Sequence, residues 1–287
     1  MFEKVLIPYV SIRPNCLTFY ERNAVPRPRS LAQIGSEINL KKTDHKGKIS
    51  AKAKIRIENA IDWMLATVPR KRFYSLQHDK YFYFKINFIT LTLASKQIHD
   101  DNTIKKELLN QFLTEIRQQF KVKKYLWRAE PQKNGNIHFH IIADQFIHYR
   151  EVRVKWNRIQ NKLGYVDRYT AKEGKLDPPS TEIKSIKRIK NLAKYLSKYC
   201  TKESEIRKIQ GRQWGLSQNL SKFQRAVTVP SYAMMDELKE LRDVFFKHYK
   251  QYDYCCCLYV HVNKWKKIIK GLLYNQFLDY KLSIDHY

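Results

Sequence analysis

The sequence is poor in cysteine, and this scarcity excludes two common kinds of small, cross-linked fold. Only five cysteines occur in 287 residues, and three of them are consecutive at positions 255–257. Because no two are spaced as CxxC, a zinc ribbon is not expected, and the spacing does not suit a disulfide framework. We therefore expect a reducing, cytoplasmic environment.

Long apolar runs and nucleotide-binding loops are also missing. No apolar run approaches the roughly 20 residues that cross a bilayer, so no membrane association is expected. The first residues, interrupted by Pro8, do not resemble a signal peptide. No GxxxxGK[ST] sequence occurs, so the chain is not expected to unwind DNA by an ATPase site of that type.

Acidic residues are few relative to basic ones. There are 27 Asp and Glu against 55 Lys and Arg, which gives a formal net charge of +28. An excess of this size exceeds what solubility needs and indicates a polyanionic partner, with nucleic acid as the default. Aromatic residues make up 13% of the chain, and aromatics interleaved with basic residues suit stacking on unpaired bases.

Three regions are predicted along the chain: a basic N-terminal arm and helix (1–80), a central domain (81–228) and a helical C-terminal extension (229–287). Residues 1–48, rich in proline and charge, are expected to have little secondary structure. A helix capped by Ser50 is predicted to run to about Leu65. It carries Lys54 and Arg56, which are candidate nucleic-acid contacts.

The central region alternates strand and helix patterns. The Asn134-Gly135 pair is a hairpin signal between two of the strands. The order is that of an α+β domain, a ferredoxin-like or RRM-like antiparallel sheet with flanking helices. Strands are predicted at residues 81–93, 123–130, 165–169 and 180–186 and in the stretch that carries His138 and His140. Helices are predicted at 104–120 and 189–202, and another, with Val152, Trp156, Ile159 and Leu163 on one side, is expected to end at Gly164.

Two patterns in this region suggest chemistry. His138 and His140 flank Phe139 in a strand, so both imidazoles lie on one face and form half of a metal site. Tyr195 and Tyr199 lie one turn apart on the helix at 189–202, beside the i,i+4 pair Lys198 and Lys202. Alone, each pattern has an ordinary structural reading, namely a surface strand and a half-buried amphipathic helix.

Together, in this order, the patterns resemble the HUH endonucleases of the rolling-circle replication initiator type. The likeness is to the two-tyrosine form, as in initiators of bacterial single-stranded DNA phages and Bacteroidetes mobile elements. The matching segments are the strand at residues 88–93 (FITLTL), His138-Phe139-His140, the tyrosine motif at 195–202, and residues 211–215 (GRQWG).

The resemblance implies that the histidines bind Mg²⁺ or Mn²⁺ and that a third ligand comes from the neighbouring strand. Glu130 is the expected third ligand, because it ends the strand that hairpins onto the histidine strand, and Gln132 is the alternative. Asp144 is expected to support the site from outside the ligand shell or to be an ordinary strand-end residue. His148 is not expected to be a ligand.

The resemblance further implies that Tyr195 or Tyr199 nicks single-stranded origin DNA, remains bound as a 5′-phosphotyrosine and later religates the strand. Lys198 and Lys202 would neutralise phosphate charge. The order of the tyrosines is open; chain order alone favours Tyr195. Other expected DNA contacts are Lys54, Arg56, Lys187, Arg188 and Arg212. A host helicase and polymerase would be partners in a bacterial cytoplasm, with the chain a monomer or weak oligomer.

Two alternatives remain open at the level of sequence. A transposase or conjugative relaxase of a mobile element would use the same chemistry on different DNA ends. A non-catalytic, RRM-like binder of single strands would instead stack bases on Tyr81, Tyr83 and Phe88.

Overall fold

The computed structural model describes residues 5–24, 49–75, 79–184, 198, 206–222 and 226–285. The chain forms two compact units, one from residues 1–43 with 222–287 and the other from residues 44–221. The strands in chain order are β1 Leu6–Ile12, β2 Leu17–Asn23, β3 Lys71–Ser75, β4 Lys80–Phe84, β5 Asn87–Thr92, β6 Tyr125–Pro131, β7 Ile137–Ala143, β8 Thr181–Lys184, β9 Trp214–Leu216, β10 Val227–Thr228, β11 Tyr249–Tyr252 and β12 Cys255–Leu258.

Eight helical elements accompany the strands within the described ranges. The second is composite, with a π-helical stretch at Ile104–Leu109 between Asp101–Thr103 and Asn110–Gln119. A single 3₁₀ turn, Phe246–His248, precedes β11. The helices are α1 Ala51–Thr67, α2 (the composite element), α3 Tyr149–Asn161, α4 Tyr165–Glu173, α5 Gln218–Lys222, α6 Tyr232–Val244, α7 Val262–Trp265 and α8 Leu272–Asp285.

An antiparallel five-stranded sheet forms the centre of the 44–221 unit. Its strand order is β8-β5-β7-β6-β9, so the histidine strand β7 is hydrogen-bonded on both sides. The β6–β7 turn uses Gly135 at a φ of +84°, a conformation that glycine adopts without steric cost. The predicted hairpin and the α+β class are therefore confirmed.

One face of this sheet packs on helices and forms the main core; we call it the helix-covered face. Phe139 and Ile141 alternate onto it from β7, and both are fully buried. Phe112 of α2 and Phe139 both meet the ring of Trp156 of α3 edge-on. The Trp156 indole also donates a 2.6 Å hydrogen bond to the carbonyl of Thr92, so its one polar atom is satisfied.

The opposite face, which we call the site face, is apolar at one end and polar at the other. Helix α1 contacts β6 here, and the Arg56 guanidinium lies 5.5 Å from the centre of the Trp214 ring. At the apolar end, Phe88, Leu126 and Ile142 are fully buried. The polar end consists of two cross-strand rows, Thr92–His138–Glu130 and Thr90–His140–Arg128–Trp214.

Several predicted elements are confirmed and two are corrected. Ser50 caps α1 as predicted, accepting from the Ala53 amide at 3.2 Å, and α2, α3 and β8 lie where the periodicity placed them. Residues 165–169 belong to helix α4 instead of a strand, because Gly164 in the left-handed region turns the chain into a new helix. The predicted strand at 81–93 is two strands, β4 and β5, and β4 pairs with β3 in a separate hairpin. The helix predicted at 189–202 lies outside the described residues, except for Lys198.

The unit formed by the two ends of the chain is also α+β in character, because all of its strand pairings are antiparallel. Its sheet has the order β10-β1-β2-β12-β11 and joins strands from both ends of the sequence. Trp265, buried beside the rings of Tyr274 and Phe277, anchors its helical layer. At the start of α8, the Glu237 carboxylate accepts from the amides of Leu272 and Leu273, a helix N-cap supplied from α6.

The irregular arm predicted at residues 1–48 is therefore wrong for residues 6–23, and the C-terminal extension is not purely helical. The prolines mislead because Pro14 lies in the β1–β2 turn, while Pro8 lies beyond the short β10 pairing at Val10 and Ser11, where no ladder amide is needed. The two units meet in the sequence at residues 43/44 and 221/222, whereas boundaries were predicted at 80/81 and 228/229. The first differs because helix α1 belongs to the same unit as the central sheet. Among the described residues, no helix has the length and apolarity to cross a membrane.

Candidate active site

The antiparallel pairing of β6 with β7 brings a carboxylate to the two histidines. Glu130 lies directly opposite His138, and His140 follows two residues along the same face. The Glu130 Oε1 atom is 2.9 Å from His138 Nε2 and 2.7 Å from His140 Nε2. Both imidazoles therefore direct the same ring nitrogen toward one carboxylate oxygen.

Neighbouring side chains fix the His140 ring from two directions. The Thr90 hydroxyl lies 3.1 Å from His140 Nδ1, across the β5–β7 pairing. The Phe88 ring stacks on the imidazole with centroids 5.4 Å apart. A ring held at Nδ1 presents Nε2 in a fixed direction, which is how metal-binding histidines are oriented in proteins. For His138, Nδ1 is buried and has no hydrogen-bond partner among the described residues.

The electrostatics of the cluster keep Glu130 ionised. Burial by itself raises the pKa of this carboxyl, but the hydrogen bonds and charges of His138 and His140 outweigh it and lower the pKa to about 2. An ionised, largely buried carboxylate needs positive partners or a cation, since an unpaired charge in such a setting is costly.

The donor set fits a divalent cation. The ligand atoms of Glu130, His138 and His140 all lie within 4.8 Å of one another, and within the described ranges no other group of three His, Cys, Asp or Glu side chains converges in this way. Two imidazoles and one carboxylate, with the remaining coordination positions left for water or substrate, are typical of catalytic metal sites. These three residues are the ones that would hold the cation.

The other residues considered as ligands have different roles. Gln132 lies in the β6–β7 turn, where its backbone N–H donates to the backbone carbonyl of Asn136. Asp144, just after β7, accepts from the Lys123 amide, and burial raises the pKa of its carboxyl. His148 caps α3, with its Nδ1 facing the Arg150 amide at 3.4 Å. None of the three belongs to the convergent cluster.

Sequence reasoning missed Arg128, which lies on the site face opposite His140. Its side chain is buried, and its Nη1 donates to the side-chain oxygen of Gln213 at 2.8 Å and to the Gln213 carbonyl at 3.2 Å. The period-two spacing from Glu130 was the available signal. Arg128 thus holds the segment before β9, and its guanidinium places a positive charge in the cross-strand row that contains His140.

The tyrosine motif is only marginally described. Tyr195, Tyr199 and Lys202, with the predicted DNA contacts Lys187 and Arg188, lie outside the described residues. Lys198 is helical and exposed.

The chain is firmly anchored shortly after that motif by Arg207, a residue that sequence reasoning also missed. Its guanidinium forms a two-bond fork with the buried Asp101 carboxylate, at 2.7 and 2.8 Å. Its Nε donates to the Gly135 carbonyl at 2.6 Å, in the turn between β6 and β7. Burial would raise the pKa of Asp101, but hydrogen bonds from Arg207 and Gln97 outweigh it and lower the pKa. We call this contact the Arg207 anchor.

The remaining predicted DNA contacts lie in the same unit. Arg56 is exposed on α1, with its guanidinium over Trp214, and Lys54 is half-buried two residues earlier in the helix. Arg212 donates from Nε to the Trp214 carbonyl at 2.7 Å, and its guanidinium lies 6.0 Å from the centre of the Trp127 ring. Arg56 and Arg212 are thus both brought next to β9.

Comparison with known proteins gives one family match. Residues 86–204 match the model of a family described as Replication-associated protein ORF2, a stretch of less than half of the chain. This match supports a rolling-circle replication initiator family, and with it a role in DNA replication and an interaction with DNA. No curated protein and no solved structure matches the chain.

Proposed function

We propose that this chain is a two-tyrosine HUH endonuclease that initiates rolling-circle replication by nicking single-stranded origin DNA. The observation that carries the proposal is the convergence of Glu130, His138 and His140 on one face of the sheet. The cluster lies inside the stretch that matches replication-associated proteins, between residues 86 and 204.

The three cluster residues would hold Mg²⁺ or Mn²⁺, which when bound polarises the scissile phosphate. Thr90 fixes the His140 ring through Nδ1, so that Nε2 would be available as a ligand, and Glu130 would supply the anionic ligand. Of the three donors, the carboxylate oxygen suits Mg²⁺ and Mn²⁺ best, whereas imidazole nitrogen is the commoner ligand of Zn²⁺ and Fe²⁺. The choice of Mg²⁺ or Mn²⁺ therefore rests on the resemblance to HUH endonucleases. The half-buried surroundings exclude most bulk water from the ligands.

Tyr195 or Tyr199 would supply the nucleophile. A new bond forms between the phenolic oxygen and phosphorus, the phenolic proton leaves to solvent or a nearby base, and the bond from phosphorus to the 3′ oxygen breaks. The products are a 5′-phosphotyrosine and a free 3′-OH, which a host polymerase extends behind a host helicase. In the closing step, a 3′-OH attacks the phosphotyrosine, a phosphodiester forms and the tyrosine leaves as the phenol. The second tyrosine would cleave the regenerated origin and so release that 3′-OH. Lys198 and Lys202 would offset phosphate charge.

The Arg207 anchor supports this assignment. It ties the chain a few residues beyond Lys202 to the turn that joins the Glu130 strand to the His138 strand. In the sequence, only four residues separate the end of the tyrosine motif at Lys202 from this fixed point. Lys54, Arg56, Lys187, Arg188 and Arg212 would hold DNA phosphates, with the salt dependence typical of such contacts.

The proposal is tested by covalency. The protein is incubated with single-stranded DNA of its replicon's origin and Mn²⁺, then denatured and separated by electrophoresis; a DNA adduct that survives denaturation is expected. Tyr195→Phe combined with Tyr199→Phe should abolish the adduct while DNA binding survives. Cleavage that persists in this double variant would show that the nucleophile lies elsewhere.

The metal assignment has its own matched control. His138→Ala and His140→Ala should each remove metal-dependent nicking, whereas His148→Ala, at the N-terminus of α3, should leave it unchanged. Undiminished nicking by either cluster variant would refute the metal site. A transposase or relaxase would form the same adduct but on transposon ends or a transfer origin, so the DNA that is cleaved separates these functions.

The residues expected to stack bases in the alternative, non-catalytic binder need correction. Phe88 cannot serve in a base-stacking platform, because it is fully buried against His140. Tyr81 and Tyr83 lie on a different, two-stranded sheet and are exposed there. Binding to single strands without any adduct, across several origins and metals, would favour this function over the nuclease.

A further inference from the structure

The hairpin of β3 and β4 has two faces of opposite character. The strands pair in full register, with Arg72 opposite Tyr83 and Phe73 opposite Phe82. Since side chains alternate along a strand, Phe73, Phe82 and Phe84 share one face, while Arg72, Tyr74, Tyr81 and Tyr83 share the other. We call the second set, together with Arg70, the tyrosine–arginine face.

The phenylalanine face attaches the hairpin to the rest of its unit. The Phe73 ring stacks on Phe146, with centroids 4.4 Å apart, and Phe84 lies 5.4 Å from the same ring. Lys71, on this side, donates to the carbonyl of Asp144 at 3.2 Å, next to the end of β7. The hairpin is thereby attached beside the strand that carries His138 and His140.

The tyrosine–arginine face is exposed. Tyr74, Tyr81 and Tyr83 retain 44%, 55% and 49% of their accessible surface. The Arg72 guanidinium lies 4.3 Å from the centre of the Tyr81 ring, and that of Arg70 lies 4.7 Å from the centre of Tyr83. Aromatic rings and guanidinium groups are thus presented together on one outward surface.

We propose that the tyrosine–arginine face binds single-stranded DNA, with its rings stacking on unpaired bases and its arginines contacting phosphates. Base stacking on aromatic side chains combined with a positive surface is how proteins hold single strands without reading sequence. Residues two apart on a strand, such as Tyr81 and Tyr83, lie about 6.6 Å apart. That is about twice the 3.4 Å rise per nucleotide of a duplex strand, so the spacing suits an unstacked strand.

The choice of DNA as the occupant rests on the proposed function and on the replication family match, whereas the preference for unpaired bases rests on the face itself. A duplex hides its base surfaces within the stack, so the tyrosines have little to stack on. The strongly basic composition of the chain favours a polyanion over a neutral protein partner.

The test measures binding of a fluorescent 20-nucleotide oligodeoxynucleotide of mixed sequence and of the same sequence as a duplex. All proteins carry Tyr195→Phe and Tyr199→Phe, so covalent attachment does not contribute. One variant adds Tyr74→Ala, Tyr81→Ala and Tyr83→Ala, and a second replaces the same three residues with Phe. The matched control replaces Tyr232 and Tyr254 with Ala; these tyrosines of the other unit are 95% and 90% exposed.

We expect the triple alanine variant to bind the single strand at least about tenfold more weakly, because stacking contributes strongly per base. Duplex binding should change much less. The triple Phe variant, which keeps the rings, and the Tyr232/Tyr254 control should bind like the parent. Arg70→Gln with Arg72→Gln should weaken the single strand and flatten its salt dependence.

The proposal is overturned if the alanine variant binds the single strand like the parent, or if single strand and duplex lose affinity equally. It is also overturned if gel filtration shows that the variant changes oligomeric state while DNA binding is kept, since the face would then be a self-association surface. Unfolding curves that match the parent's exclude misfolding as a cause. Normal adduct formation by the protein with both tyrosines intact, together with no effect of the hairpin substitutions on binding, would refute this inference and leave the nuclease intact.

Discussion

The two faces of the central sheet are built from the same strands, yet they obey different rules. On β7, Phe139 and Ile141 point to the helix-covered face and are fully buried in the apolar core, whereas His138 and His140 point to the site face and meet Glu130. The first face is explained by burial of apolar surface, which needs no particular partner. The second needs specific partners, because a half-buried carboxylate and imidazoles are tolerated only when they satisfy one another or a cation.

The helix-covered face contributes most to the stability of this sheet, and the site face carries the groups that we propose to bind a cation. A polar cluster in the sheet is a poor source of stability, since desolvation offsets much of the attraction between its groups. A polar cluster of this kind beside a well-packed apolar face is typical of a functional site. Substitutions on the helix-covered face should therefore mainly lower stability, whereas those on the site face should mainly change metal binding and nicking.

The largest expected effect on stability is on the helix-covered face. Phe139→Ala should destabilise the fold by about 3–5 kcal/mol, because it removes a fully buried ring that meets Trp156 and leaves a cavity. Urea unfolding followed by circular dichroism measures this loss. His138→Ala, one residue away on the site face, is the control and should cost much less; equal losses would contradict the division between the faces.

A bound cation should make the site face contribute to stability. At a Mn²⁺ concentration about 100 times its dissociation constant, the parent should gain about 2.7 kcal/mol in its free energy of unfolding. Because the gain depends on the cluster, His138→Ala and Glu130→Gln should lose most of it, whereas His148→Ala should keep it. Thermal unfolding with and without Mn²⁺ measures the difference. An equal metal-dependent gain in all variants would mean that the cation binds elsewhere.

The Arg207 anchor joins the β6–β7 turn to Asp101 at the start of α2 and should have an intermediate effect. Arg207→Gln removes a two-bond ion pair to a buried carboxylate, at an expected cost of about 2 kcal/mol. Adduct formation should fall more than Mn²⁺ binding, because the anchor positions the chain after the tyrosine motif and touches no ligand. Arg153→Gln, which breaks a more exposed pair with Asp177, is the matched control. Parallel losses of adduct and metal binding would contradict a positioning role.

The smallest expected effect is a pH dependence that arises at Asp101. Its folded pKa lies below the usual value, so its ionised form stabilises the fold above the unfolded pKa of about 4. This stabilisation should be lost as the pH falls from about 4 through the lower folded pKa. In Asp101→Asn, the free energy of unfolding should lack this part of its decrease at acid pH. Urea unfolding at stepwise lower pH measures the difference. If Asp101→Asn leaves the dependence of unfolding free energy on pH unchanged, the ionisation of Asp101 does not stabilise the fold.

Sequence patterns were sufficient for the features that depend on local chemistry. The alternation around Phe139 predicted the strand and its two faces, Asn134-Gly135 predicted the turn, and Ser50 predicted the start of α1. The choice of Glu130 as the partner of the histidines follows from the same hairpin, since a short turn fixes which residues lie opposite each other. The metal binding itself stays a prediction.

Features that depend on distant parts of the chain were not predictable in this way. Nothing near Leu6 indicates that β1 and β2 share a sheet with strands near Cys255. Asp101 and Arg207 are ordinary charges in the sequence and become an anchor only when folding brings them together. Tyr81 and Tyr83 appeared to continue the Phe88 strand, but a break after Phe84 assigns them to a separate hairpin.

The sequence by itself determined the basic character of the chain, the faces of its main strands and the pairing that brings Glu130 to His138 and His140. These follow from charge, from the period of two along a strand and from a tight turn, all of which act over short distances. Only the tertiary structure decided which face the helices cover, how Thr90 and Phe88 orient His140, and where Arg207 holds the chain. Those contacts join residues far apart in sequence, and packing and desolvation select among partners that local patterns leave equivalent.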